Sequence, residues 1–295
     1  MPPSLPSRAA RLDGLAPFSF VLLWSTGWLS ARYAAFEADA LTFLSWRFAL
    51  SGLALAAFAL AVGARWPASP LQWLHAIVAG ALLHGLYLGC VWWAVRAGVP
   101  TTISGLVAAL QPILTAGLAP LIIGERVSTV QRVGIACGFA GLAIVLGPGL
   151  VGARDIPVWP VAANALGMVA VTLGTFYQKR FQASGDLRAM MAVQYIGGFA
   201  VALVGARAFE PMHIAWSPTI LATMAWSVLG LSIGGILLML LMIRHGAVAR
   251  MAAFIYLVPP AVAVEAYFLF GDRLTGLQLG GFALTVAGVA LATRR

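Results

Sequence analysis

The chain has 295 residues, of which 61% are hydrophobic and only 9% charged, whereas a soluble domain carries about 25% charged side chains to cover its surface. With a mean hydropathy of +0.94, most of its surface must face lipid, and its 32 Gly and 16 Pro sit inside apolar runs, which excludes collagen and disordered linkers. The net charge of +9 is spread as single and paired basic residues between apolar segments, with no basic face, so nucleic acid is not a partner.

A membrane-spanning helix takes about 20 mostly apolar residues. Charges and turn residues divide the chain into ten such segments, at 14–34, 40–63, 71–96, 100–123, 128–148, 157–180, 187–207, 217–244, 248–270 and 274–292. This predicts an all-α polytopic membrane protein with no extramembrane enzymatic domain. The apolar run from Leu15 to Ala34 exceeds the roughly 7–15 residues of a cleavable signal core and reads as a retained first span. Basic residues set orientation. With the N-terminus inside, the cytoplasmic side takes Arg8, Arg11, Arg65, Arg126, Arg132, Lys179, Arg180, Arg188, Arg244, Arg250, Arg294 and Arg295, against Arg32, Arg96, Arg154, Arg207 and Arg273 outside. Both termini are therefore expected in the cytoplasm.

Polar groups inside spans are costly and mark candidate pathways. Span 1 carries Trp24 and Trp28. Span 2 contains Arg47, close enough to a span end for its side chain to snorkel. Span 3 places His84 and Tyr87 three apart on one expected face. Trp46, Trp66, Trp92 and Trp93 lie near span ends and are assigned to the interfacial aromatic belts. Span 4 offers Ser104, Ala108, Gln111 and Thr115 at helical spacing, and span 6 offers Asn164, Met168, Thr172 and Thr175 likewise. These stripes are expected to line a shared cavity, although interhelical hydrogen bonding explains such residues as well. Pro112, and Pro259 with Pro260, should each free a carbonyl about one turn earlier, near Ala108 and Ile255. Span 9 adds Tyr256 and Glu265. The candidate substrate-binding set is thus Trp24, His84, Tyr87, Gln111, Asn164 and Tyr256. For His84 a hydrogen-bonded core role is the alternative, and Glu265 is either a proton-coupling group or the partner of Arg32 or Arg273. Glycine pairs Gly85 and Gly89, Gly134 and Gly138, and Gly230 and Gly234 are spaced for close helix packing, within the chain or in a homodimer. Cys90 and Cys137 lie in apolar runs as small hydrophobes, and no P-loop, HExxH, catalytic triad or metal-ligand spacing occurs, so neither cofactor, metal nor enzymatic activity is expected.

The chain also repeats itself at half its length. At an offset of 147 residues Gly27 aligns with Gly174, Pro112 with Pro259, Gly124 with Gly271, Arg126 with Arg273, Gln131 with Gln278, Gly134 with Gly281 and Gly141 with Gly288. The local strings are LIIGERVSTVQRVG and FLFGDRLTGLQLGG. Five spans per copy is odd, so the second copy enters the bilayer from the opposite side. Two inverted five-helix repeats, 1–148 and 157–295, are expected, an architecture recurrent in secondary transporters.

The segment LQPILTAGLAPLIIGERVSTVQRVGIACGFAGLAIV, its echo LVPPAVAVEAYFLFGDRLTGLQLGGFALTVAGVAL and the WRFALSGLAL run at 46–55 resemble the ten-helix EamA branch of the drug/metabolite transporter superfamily across essentially the full chain. LLWSTGWLSARY at 22–33 and the aromatic third span resemble the aromatic amino-acid exporters of bacteria within that branch. The resemblance implies a multi-pass inner-membrane exporter of amino acids or related metabolites, with a central cavity between two halves working by alternating access. Two other readings stay open: export of lipophilic or quaternary cations, and a channel or non-transporting scaffold.

Overall fold

The computed structural model describes residues 8–123, 128–150, 158–182, 185–235, 237–238 and 257–292. These residues form helices and short turns, with one isolated antiparallel bridge between Ala38 and Ile214. The helices are α1 (Arg8–Ala35), α2 (Ala40–Ala61), α3 (Pro70–Arg96), α4 in two rods (Thr101–Val107 and Leu110–Ile123), α5 (Thr129–Leu150), α6 (Val158–Phe181), α7 (Leu187–Phe209), α8 (Pro218–Gly234), α9 (Val258–Phe270) and α10 (Gly276–Ala292). Each falls on one of the ten expected spans. Among the described residues α2, α3, α4, α6 and α7 are long and apolar enough to cross a membrane, and α5, α8, α9 and α10 supply shorter apolar helices.

The turns alternate between two faces, as a repeatedly crossing chain requires. On one face the Asp39 N–H donates to the His213 carbonyl at 2.9 Å and the Ala215 N–H to the Glu37 carbonyl at 2.9 Å. The Glu210 carboxylate, at the end of α7, caps the start of α2, accepting from the Leu41 N–H at 2.9 Å and from the Thr42 N–H and hydroxyl at 2.8 and 2.9 Å. Such a carboxylate both satisfies orphan amides and opposes the positive end of the helix dipole. On the other face the Arg65 N–H, after α2, donates to Asp186 at 3.1 Å, which caps α7.

Small residues bring the backbones together. A Cβ added to Gly281 of α10 would lie 2.8 Å from the Gly141 carbonyl oxygen of α5, and one added to Gly288 would lie 2.8 Å from that of Gly134. Gly134, Gly138 and Gly141 are thus used against α10 and the α4 side chain Ile113. The third helix packs likewise on α7, with Gly85 against Val201. The pair Gly134 and Gly138, and Gly85 of the third helix, are thus used for close packing within the chain.

Two helices leave regular geometry. Ala81–Leu86 within α3 and Trp226–Gly234 within α8 are π-helical. Shifted by the repeat offset, the first segment falls at 228–233, inside the second. The fourth helix breaks at Ala108 and Ala109. Pro112 has no N–H for the Ala108 carbonyl, but that carbonyl accepts instead from the Gln111 N–H at 3.1 Å. The carbonyl expected to be free is therefore occupied by a tighter turn. Ile255 lies outside the described residues.

Candidate functional site

A central cavity opens between α1, α3, α4, α9 and α10, walled by Trp24, Trp28, Tyr87, Gln111, Pro112 and Pro259 and floored by small residues such as Ala108. Its solvent-accessible volume is about 40 Å³, room for a few waters. Trp24 is held by stacking on Phe20, with ring centroids 5.1 Å apart. Trp28 is buried, and its Nε1 has no hydrogen-bond partner among the described residues. Tyr87 follows directly on the π-helical turn of α3, and Gln111 follows the break in α4.

Three of the residues singled out from the sequence, Trp24, Tyr87 and Gln111, therefore meet at one cavity. The structure places the others elsewhere. His84 is not part of the cavity lining and stacks on Tyr195 of α7 at 4.7 Å, with Phe48 at 6.3 Å. The periodicity that put His84 and Tyr87 on one face assumed a regular helix, and the π-turn between them changes the phase. Asn164 is fully buried and donates to the Ser104 hydroxyl at 2.8 Å, tying α6 to α4 away from the cavity wall. Thr115, Thr172 and Thr175 donate to the carbonyls of Gln111, Met168 and Val171 in their own helices. The two polar stripes thus meet each other through Asn164 and Ser104, and only Ala108 and Gln111 of their members reach the cavity. Tyr256 lies outside the described residues.

Glu265 of α9 accepts from the Ser25 hydroxyl at 2.7 Å, while its Oε2 is buried with no partner among the described residues. Arg32, the proposed alternative partner, sits over the rings of Phe36 and Phe270 at 5.7 and 5.5 Å. Arg47 departs most from expectation. Instead of snorkelling it is 6% exposed, its guanidinium 5.5 Å from the centroid of Trp92. Trp92 in turn is buried and stacked on Phe43 at 5.1 Å, not placed in an interfacial belt.

Two polar clusters went unnoticed in the sequence. His75 Nδ1 lies 2.7 Å from the Tyr177 hydroxyl, joining α3 to α6. Ser51 of α2 donates to Ser232 of α8 at 3.0 Å, beside Tyr195. The second was traceable: Ser51 is one turn beyond Arg47, and Tyr195 aligns with Phe48 at the repeat offset. At the membrane faces, the Arg188 guanidinium holds the Asp186 carboxyl well below the usual carboxylate range, against the opposing pull of partial burial. Burial pushes the Asp272 carboxyl up, with Arg32 nearby opposing it.

An all-helical bundle whose turns alternate between two faces, closed around a cavity of aromatic rings and one amide, defines a multi-pass membrane protein of the transporter class. Residues 15–147 match the EamA-like transporter family. The chain is 25% identical over 284 residues to the uncharacterized transporter YvbV of Bacillus subtilis, covering 93% of this chain and 89% of the relative. It is also 25% identical over 265 residues to a probable terminal-alkyne amino-acid exporter of Streptantibioticus cattleyicolor, covering 84% and 82% of the two chains. A crystal structure shares the fold with a TM-score of 0.63 at 24% identity, over 96% of this chain and 97% of its own. The chain is thus similar to EamA-like transporters over residues 15–147 and to proteins named as transporters or exporters over most of its length.

Proposed function

We propose that the protein exports amino acids or related small metabolites, aromatic amino acids favoured, from the cytoplasm across the inner membrane. The halves 1–148 and 157–295, inverted relative to each other and with both termini cytoplasmic, open the central cavity to one side at a time. The observation that carries this reading is the cavity lining: Trp24, Trp28, Tyr87 and Gln111, with Pro112 and Pro259 from repeat-equivalent places. Rings offer stacking surface to an aromatic side chain, and an amide offers hydrogen bonds to a neutral or zwitterionic solute. Tyr256 belongs to the same proposed set through its place in span 9. The likeness to the probable terminal-alkyne amino-acid exporter of Streptantibioticus supports an amino-acid substrate.

The narrow volume of the cavity fits this cycle, because a solute the size of phenylalanine enters only when the halves part. Glu265, buried at one oxygen beside Ser25, is the proposed proton-exchanging group. His84 and Asn164 act behind the wall, as packing partners of α7 and α4. The same Glu265 oxygen, together with the aromatic cavity wall of Trp24 and Tyr87, favours organic cations as the second reading.

The test is counterflow of labelled phenylalanine in proteoliposomes, with and without an imposed pH gradient. Saturable exchange, weakened by Gln111→Ala or Trp24→Ala, is expected, and Glu265→Gln should abolish only the response to the gradient. Passive, unsaturable flux refutes the reading. Carriage of quaternary cations in place of phenylalanine, lost in Glu265→Gln, selects the second one.

A further inference from the structure

Arg47 stands two turns into α2, inside the bundle, and guanidinium cannot lose its proton to escape the expense of burial. Its surroundings are rings. Trp92 lies under it at 5.5 Å, and Tyr87, Tyr195 and His84 are its polar neighbours. The Trp92 face offsets part of the desolvation, yet no carboxylate pairs with Arg47 among the described residues. Other acids of the described helices and turns have partners of their own: Asp39 lies 4.0 Å from Arg96, Glu210 caps α2, and one oxygen of Glu265 takes the Ser25 hydroxyl. The buried Nε of Arg47 has no hydrogen-bond partner among those residues.

A second donor is in the same condition. Trp28 Nε1, on the cavity wall, is buried and unpartnered among the described residues. The two sites are linked by Tyr87, which lines the cavity and borders Arg47. Buried donors are normally satisfied, so two unpartnered donors linked through Tyr87 call for a ligand rich in acceptors. A carboxylate meets the guanidinium fork with two parallel hydrogen bonds and cancels its charge.

We propose that Arg47 is the carboxylate anchor of the transported solute, so that the substrate class is a small organic acid, with or without an amine, bearing an apolar or aromatic side chain. The carboxylate docks on Arg47 beside Tyr87, and the side chain lies among Trp24 and Trp28. As to the solute, this rests on the export reading above. It adds a requirement that the reading lacks: an uncharged amide of the same solute is rejected, because it leaves the guanidinium uncompensated.

Two measurements test this. In counterflow by the wild-type protein, phenylalanine and 3-phenylpropionate should compete with labelled phenylalanine about ten- to a hundredfold better than phenylalaninamide. Arg47→Met should erase that difference, and Arg47→Lys, which keeps the charge without the fork, should restore part of it. Equal competition by acid and amide in the wild type, or an Arg47→Met variant that keeps the preference for the acid, overturns the proposal. The second measurement needs no flux: quenching of intrinsic tryptophan fluorescence on addition of 3-phenylpropionate to detergent-purified protein, against 3-phenylpropanamide as control. Carboxylate-dependent quenching lost in Arg47→Met is expected even if phenylalanine is not exported, so failure of the export reading and failure of the anchor are separable. Quenching equal for acid and amide overturns the anchor.

Discussion

Alanine at Gly281 and alanine at Gly280 should have opposite consequences, although the two glycines are adjacent in α10. Both variants gain the same intrinsic helix preference of alanine over glycine, about 1 kcal/mol, so the difference between them isolates packing. At Gly280 a new Cβ meets nothing within 4 Å. At Gly281 it lies 2.8 Å from the Gly141 carbonyl oxygen and 2.8 Å from Ile144 Cγ2. A carbonyl oxygen on the facing helix cannot rotate aside as a side-chain end does, so α5 and α10 must separate, and overpacking of this kind costs about 1–3 kcal/mol. Gly280→Ala should therefore be neutral or slightly stabilised and Gly281→Ala destabilised. At about 2–4 °C per kcal/mol for chains approaching this size, the two should differ by roughly 2–12 °C. The assay is the fraction of monodisperse protein left after heating in detergent, run at one heating rate because such unfolding is irreversible. Equal midpoints, or a lower midpoint for Gly280→Ala, would refute the close approach of α5 and α10.

Glu210→Ala should lower thermal stability by about 2 kcal/mol, the sum of a lost helix cap and a lost dipole contact, and Glu210→Gln by about half as much because one acceptor remains; the same heating assay ranks them. For Asp186, the depressed carboxyl means that the folded state favours the ionised form. Its contribution is full above the ordinary carboxylate range of about pH 4 and disappears as the pH falls through the lower folded value. Asp186→Asn should therefore be less stable than the wild type at neutral pH, by a gap that holds from pH 8 down to about pH 4 and only begins to narrow at pH 3, as read from midpoints across that range.

Span positions are legible in the sequence because lipid demands a length and a composition, and both are local properties. The start of α7 at Leu187 follows from Asp186 just before it, whereas the cap of α2, Glu210, lies 169 residues from the Leu41 N–H that it accepts from, beyond any local signal. What happens between spans is less readable. His84 and Tyr87 look like neighbours on one cavity face, yet across the π-turn only Tyr87 lines the cavity, while His84 stacks on Tyr195. Arg47 looks able to reach the interface, but Trp92 and Tyr195 arrive from α3 and α7 to enclose it. Thr115, Thr172 and Thr175 have the right spacing for a pathway, yet each hydroxyl has a carbonyl one turn behind it, a local use that no periodicity reveals. Trp24, Tyr87 and Gln111 were readable because each is a large polar or aromatic group in an otherwise apolar stretch.

The interlocked turns 36–39 and 210–217 bear on how the protein can be labelled. By position between two spans, the second turn looks like a natural place for an epitope or a fluorescent tag. Its backbone, however, is stitched to the first turn at Asp39 and Ala215, and Met212 is held at a φ of 60°, a shape uncommon for any residue but glycine. An insertion there would have to tear that seam. The turn Ala97–Pro100 bonds to the end of the helix before it and the first turn of the helix after it, not to another turn, and Gly98, at a φ of 97°, has open space where a side chain would be. Reporter sequences belong at Gly98, where the bundle need not give way to carry them.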